Sequence, residues 1–317
     1  MAVPSKLDAT LAVLNGLVGD HLARTDNGLA TEMALVHHGK PIALTRSALS
    51  RAYPAATGKL VLLVHGLMST ESVWRFPDGT DYGTRLESEL GFTPLAVRYN
   101  SGRRIPDNGA ELAALLERLI EAFPVPVEEL VVIGHSMGGL VFRSACHAAV
   151  EQGHGWLVRV KRAVYVGTPH LGAPMERAGR LVAKVLRAVD DPYTRLAADI
   201  ANLRSEGIKD LGDAPLTHAQ RAKLAVDLRA PSHPVPLLAG IRHHLIAGAL
   251  WEHPLLATLF GDVMVPVPSA TAGLDASGAD AALPPCRIRI LPGISHLPLA
   301  HHPEVYAQLR GWLEESP

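Results

Sequence analysis

The stretch Leu130-Val131-Val132-Ile133-Gly134-His135-Ser136-Met137-Gly138-Gly139-Leu140-Val141 decides the fold. Leu130–Ile133 is an unbroken apolar run rich in β-branched residues, the pattern of a strand buried on both faces of a parallel sheet. It leads directly into G-x-S-x-G, and a helical pattern follows from Met137 to Glu151. A serine between a buried strand and a helix is the context of a nucleophile elbow, whose sharp turn lifts Oγ above the sheet. Gly134 and Gly138 leave room for that turn, where a Cβ would meet neighbouring backbone. The helix start adds free N–H groups and partial positive charge, which favour an anion developing beside Ser136. A bare G-x-S-x-G is common, but the flanking strand and helix favour catalysis over a plain glycine-rich turn. Phosphate-binding loops fit less well: Gly58-Lys59 lacks the P-loop pattern, and no G-x-G-x-x-G opens a helix.

Working outward, short apolar runs alternate with longer helical patterns, which predicts a mostly parallel sheet covered by helices. A helix is expected over Leu7–Val18, followed by a β-hairpin in which Met33–His37 and Pro41–Leu44 flank His-Gly-Lys. Leu60–Val64, Thr93–Tyr99 and Val160–Gly167 read as further strands, with later ones at Leu245–Gly248 and Arg287–Leu291. Asn108–Phe123 sets Leu112, Leu115, Leu116, Leu119 and Ile120 on one helix face, and Pro124 ends it. A final helix is expected near Val305–Leu313. Between Gly172 and Pro236 the strand signal gives way to helical patterns with proline breaks, which reads as an insertion above the sheet.

The 317 residues, 48% apolar and 19% charged, suit one domain over 1–317 with a substantial core and an N-terminal helical extension over about 1–30. A net charge of −1 provides no global field for nucleic acid or an anionic membrane. Cys146 and Cys286 are the only cysteines, which argues for two buried thiols and against a disulfide framework. Met1–Thr10 lacks the pattern of a secretory signal, and no apolar run reaches membrane-spanning length, so the cytoplasm is the expected compartment.

Further motifs join the elbow in chain order: Leu63-Val64-His65-Gly66-Leu67, Tyr99-Asn100-Ser101-Gly102, Gly167-Thr168-Pro169-His170-Leu171-Gly172, Gly261-Asp262 and Ser295-His296. On these residues the chain resembles bacterial α/β-hydrolase esterases and lipases, of the kind grouped with GPI inositol-deacylase-like proteins. The resemblance covers most of residues 60–310, while the N-terminal segment and the insertion carry little of it. It implies the α/β-hydrolase fold, a mostly parallel central sheet flanked by helices with a helical cap insertion over about 172–236. It also implies hydrolysis of a carboxylic ester.

A serine hydroxyl needs a base, and the base an orienting acid. In this fold the chain order is serine, acid, histidine, which selects Ser136, Asp262 and His296. The stretch Val263-Met264-Val265-Pro266-Val267 resembles the segment after the acid in related lipases, although Val263 stands where many relatives have glycine. Asp275 and Asp280, in the loop of small residues at Ser269–Ala282, compete as acid, and motif context favours Asp262. His301 and His302 compete with His296 but precede Pro303 and read as the lead-in to the last helix. For the oxyanion hole, one donor is the backbone of Met137, and the resemblance assigns the second to Leu67. His135 reads as a packing residue directed away from Oγ, and His170 as a residue stabilising its loop. His37/His38 and His243/His244 lack a zinc-ligand arrangement, so no metal or cofactor is called for.

Leu181, Val182, Val185, Leu186 and Val189 share one face of an expected helix in the insertion, with Arg180, Lys184 and Arg187 on the other. Such a helix is either a lid that meets a lipid surface or a surface helix packed on its own core. A small-molecule or lipid ester with an apolar acyl group is the expected substrate, and sparse aromatics give no support to nucleic-acid binding. The same triad would also serve acyl transfer, and a binding protein on the hydrolase fold is the reading from a different class.

Overall fold

Along Lys59–Val64 the side chains alternate between two cores, as the two-residue period of a strand requires. Leu60, Leu62 and Val64 enter a cluster with Leu112, Leu116 and Leu140. Val61 and Leu63 enter a second one with Trp74, Leu86 and Leu309. The strand is therefore covered on both faces, and its sequence is apolar throughout for that reason. A computed structural model describes residues 5–173, 205–226, 235–250, 262, 265–274 and 286–315.

The strands are β1 (Ala34–His37), β2 (Lys40–Pro41), β3 (Lys59–Val64), β4 (Thr93–Arg98), β5 (Glu129–His135), β6 (Val160–Val166), β7 (Arg242–Ala249) and β8 (Cys286–Pro292). They form one sheet in the order β2-β1-β4-β3-β5-β6-β7-β8. From β3 to β8 every pairing is parallel, and β1 runs antiparallel to both β2 and β4. The expected mostly parallel sheet and hairpin are both present, although the second hairpin strand is Lys40–Pro41 and not the expected Pro41–Leu44.

The helices preceding β6 are α1 (Lys6–Arg24), α2 (Arg46–Ala52), α3 (Tyr82–Leu90), α4 (Ile105–Ala122) and α5 (Met137–Gln152). A capping box starts α1, in which Ser5 Oγ accepts from Asp8 N–H and Asp8 Oδ2 from Ser5 N–H, both at 3.1 Å. Its expected end, Val18, marks a kink (φ −137°), beyond which the helix continues to Arg24. Pro106 in the first turn of α4 suits a helix start, so the helix begins ahead of the expected Asn108. The sequence reading missed α2 and α3, although Asp81 caps α3 and Gly91 (φ 71°) ends it. β7 begins at Arg242, not Leu245, and takes in two histidines. His243 stacks on Tyr165 and His244 on Trp312, at 5.8 and 4.8 Å between ring centres.

Within the expected insertion the described residues form helices at Glu206–Asp213 and His218–Val226. The expected Leu181–Val189 helix face, with Arg180, Lys184 and Arg187, lies outside the described residues, as do Asp275 and Asp280. Among the described residues no helix is long and apolar enough to cross a membrane.

Candidate active site

β5 ends at the centre of the sheet, and Ser136 follows it with φ 53° and ψ −124°. This backbone conformation costs a non-glycine residue about 1–3 kcal/mol and persists only where its surroundings hold it. Ser136 N–H donates to Val166 O at 2.9 Å, and Gly139 N–H donates to Ser136 O at 3.1 Å. The glycines of the motif are required by close approach. A Cβ on Gly138 would lie 2.3 Å from Val64 O, and one on Gly134 would lie 2.6 Å from Gly139 N. The strained turn is thus pressed between β3 and the start of α5.

His296 follows β8, and Asp262 lies against the end of β7, where a Cβ on Gly248 would come 3.0 Å from Asp262 Cβ. Both thus sit at the C-terminal edge of the parallel sheet, where α/β proteins gather their ligands. His296 Nδ1 lies 2.7 Å from Asp262 Oδ2, and its Nε2 lies 2.9 Å from Ser136 Oγ. A carboxylate can only accept, so Nδ1 carries the proton and Nε2 is left to accept from the serine hydroxyl. Asp262 Oδ1 accepts from Val265 N–H at 2.8 Å, and Asp262 O accepts from His296 N–H at 3.3 Å. All three side chains are buried. The structure therefore brings Ser136, His296 and Asp262 into one hydrogen-bonded line.

Met137 directly follows Ser136, and Gly66, which precedes Leu67, approaches the serine. Met137 is the first residue of α5, so its N–H has no partner within the helix. The loop after β3 passes close by, since a Cβ on Gly66 would lie 3.1 Å from Ser136 Cβ. His65 Nδ1 donates to Gly66 O at 2.8 Å, and Tyr99 Oη donates to His65 O at 2.9 Å. The His65 ring stacks on Tyr99, and burial pushes its pKa down to about 4. Met68 N–H donates to Ser101 Oγ at 3.0 Å. The peptides on either side of Leu67 are thus held by His65 and Ser101.

The remaining histidines separate clearly. His135 Nε2 lies 3.1 Å from His296 O, which can only accept, so the ring donates. Its Nδ1 has no hydrogen-bond partner among the described residues, and burial, with the nearby His296, pushes its pKa down to about 3. This contact goes beyond the packing role expected of it. Its signal in the sequence was a polar residue at the end of an otherwise apolar strand. His170 N–H reaches Thr168 O and Ser269 O, and its Nδ1 accepts from Arg143 Nη1 at 2.9 Å, as befits a loop-stabilising residue. His301 Nδ1 donates to Val73 O, and His302 Nδ1 accepts from Glu304 N–H at the start of the last helix. Among the described residues no group of three or more His, Cys, Asp or Glu could hold a metal ion.

A mostly parallel sheet with a strained serine where its central strand meets a helix is the architecture of the hydrolases built on an elbow of this kind. The family model described as "Alpha/beta hydrolase family" matches residues 61–309, and the chain belongs to that family. Among solved structures, the chain is similar to the mature form of Bacillus licheniformis lipase BlEst2. That match has 17% identity and a TM-score of 0.51, and covers 89% of this chain and 97% of the other. The propeptide form of the same lipase gives 18% identity and a TM-score of 0.50, with 83% and 51% covered. At such identities the likeness is one of fold. No curated protein matches the chain in sequence.

Proposed function

We propose that this chain hydrolyses carboxylic esters through a covalent acyl-enzyme, with Ser136 as nucleophile, His296 as base and Asp262 as orienting acid. The observation that carries this reading is the continuous line of hydrogen bonds, 2.7 Å from Asp262 to His296 and 2.9 Å from His296 to Ser136. Ser136 Oγ attacks the ester carbonyl carbon as its proton passes to His296 Nε2. The carbonyl oxygen becomes an anion that the backbone N–H groups of Leu67 and Met137 stabilise. Collapse of that intermediate breaks the bond to the alcohol oxygen, which takes the proton from His296. Water then attacks the acyl-enzyme with His296 again as base, and the carboxylic acid leaves. Asp262 keeps the proton on His296 Nδ1 and offsets the charge of the transient imidazolium.

An apolar acyl group is the proposed cargo, as a small-molecule or lipid ester, and the cycle calls for no cofactor. The finer resemblance to GPI inositol-deacylase-like esterases rests on the motif residues and is consistent with this chemistry. We read the chain as one catalytic domain that carries a cap insertion over about 172–236. A series of p-nitrophenyl esters of rising acyl length, with and without a lipid interface, tests the proposal. Turnover that depends on Ser136 is expected, and no turnover of any ester would count against it.

A further inference from the structure

The family match begins at residue 61, yet α1 packs by its backbone on the loops that follow β3 and β4. Gly16 faces Met68 so closely that a Cβ on it would lie 2.3 Å from Met68 Cγ and 3.2 Å from Met68 Cα. One turn further on, Gly19 O accepts from Asn100 Nδ2 at 2.8 Å. A Cβ on Gly102 would lie 2.0 Å from Asn15 O. Ser101, between these contacts, accepts the Met68 N–H. The same knot holds described residues of the expected insertion, since Ser205 Oγ donates to Gly16 O at 2.6 Å and Gly207 N–H to Gly102 O at 2.9 Å.

Met68 itself sits in the left-handed region (φ 57°), a conformation that its surroundings must maintain. It directly follows Leu67, whose N–H is useful to an oxyanion only if aimed to within about 0.5 Å and 10–20°. We propose that α1 is a positioning element of the oxyanion hole: through Gly16 and Met68 it sets the loop conformation that aims the Leu67 N–H at the reacting oxygen. The inference rests on the reading of Leu67 as an oxyanion donor. It makes the N-terminal helix part of the catalytic apparatus although it lies outside the family match.

The test compares G16A, M68A and the G16A/M68A double variant in the full chain. Alanine favours a helix more than glycine does, so G16A leaves α1 itself intact while its methyl group displaces Met68. On p-nitrophenyl butyrate, G16A is expected to lower kcat roughly 10- to 100-fold, as small misplacements of a catalytic group do. KM should stay within about twofold, because transition-state stabilisation is what is lost. Deuterium exchange of the Met68 amide, read in the segment 65–70, should quicken in G16A. Shortening Met68 in the double variant should restore much of both. Unchanged kcat in G16A, or a loss that the double variant does not relieve, overturns the proposal. If wild type and S136A turn over the ester equally, the hydrolase reading fails, and the exchange data alone decide the coupling. Faster exchange in G16A reversed in the double variant supports it, and unchanged exchange overturns it.

Discussion

His135 donates its Nε2–H to the carbonyl oxygen of His296 at 3.1 Å, so the residue before Ser136 holds the backbone of the residue facing Ser136. The elbow and the histidine loop are thereby joined twice, once through Ser136 Oγ and once behind it. Replacing His135 with phenylalanine removes the donor and leaves a buried carbonyl unsatisfied, at a cost of about 1–3 kcal/mol. Both a lower melting temperature and a lower kcat are expected. Steady-state kinetics beside thermal unfolding checks this, and wild-type kcat in H135F would mean that the contact does not matter to turnover.

Asp262→Asn tests the proposed orienting role of Asp262 separately from the fold. An asparagine can still accept the Val265 N–H through its amide oxygen, but its NH2 then faces His296 Nδ1 and favours the wrong tautomer. Loss of kcat by about 10⁴-fold is expected, the scale typical of this change in a serine triad, with an unaltered circular dichroism spectrum. Activity within tenfold of wild type would remove Asp262 from the mechanism.

Gly138→Ala should fail for a different reason. The added Cβ would lie 2.3 Å from Val64 O and 2.5 Å from His65 O, and backbone of a central strand cannot move aside. Overpacking of this kind costs about 1–3 kcal/mol or more. A lower urea midpoint together with lost turnover is the expected outcome, measured by equilibrium unfolding and ester kinetics. A variant as stable and active as wild type would contradict the close packing of the turn.

Acid should weaken the fold through its buried histidines. Burial lowers His65 and His243 to about 4 and His135 and His244 to about 3, against 6.5 for the unfolded chain. Below pH 6.5 the unfolded state binds more protons than the folded state, so stability falls as pH falls towards the folded values. Each such group contributes up to about 1.4 kcal/mol per pH unit in that window, and nothing above it. The urea midpoint should therefore be flat from pH 8 to 7 and fall between pH 6.5 and 4.5. A midpoint that rises or stays level on acidification would contradict neutral burial of these rings.

Local chemistry made the elbow legible, because a buried strand, two obligatory glycines and a helix start are consecutive in the chain. Ser136 and His296 are 160 residues apart, and no spacing rule relates them. Their pairing was accessible only through the chain order that the family resemblance supplies. The short helices α2 and α3 escaped notice because seven and nine residues give too few turns for periodicity to stand out. The early start of β7 was hidden because His243 and His244 are polar residues accommodated by aromatic stacking. In α1, Gly16 and Gly19 are poor helix formers whose use is tertiary, the close approach to Met68 and Asn100. Nothing in a single sequence announces which loop such a glycine will meet.

The central claim is that Ser136 is a nucleophile activated by His296. Labelling with a fluorophosphonate probe tests it most directly, because the probe traps an activated serine and needs no knowledge of the natural ester. The wild-type chain is expected to be labelled on Ser136, as read by mass spectrometry of the modified peptide. S136A should take up no label, and H296A should label far more slowly. Equal labelling of wild type and S136A would contradict the account.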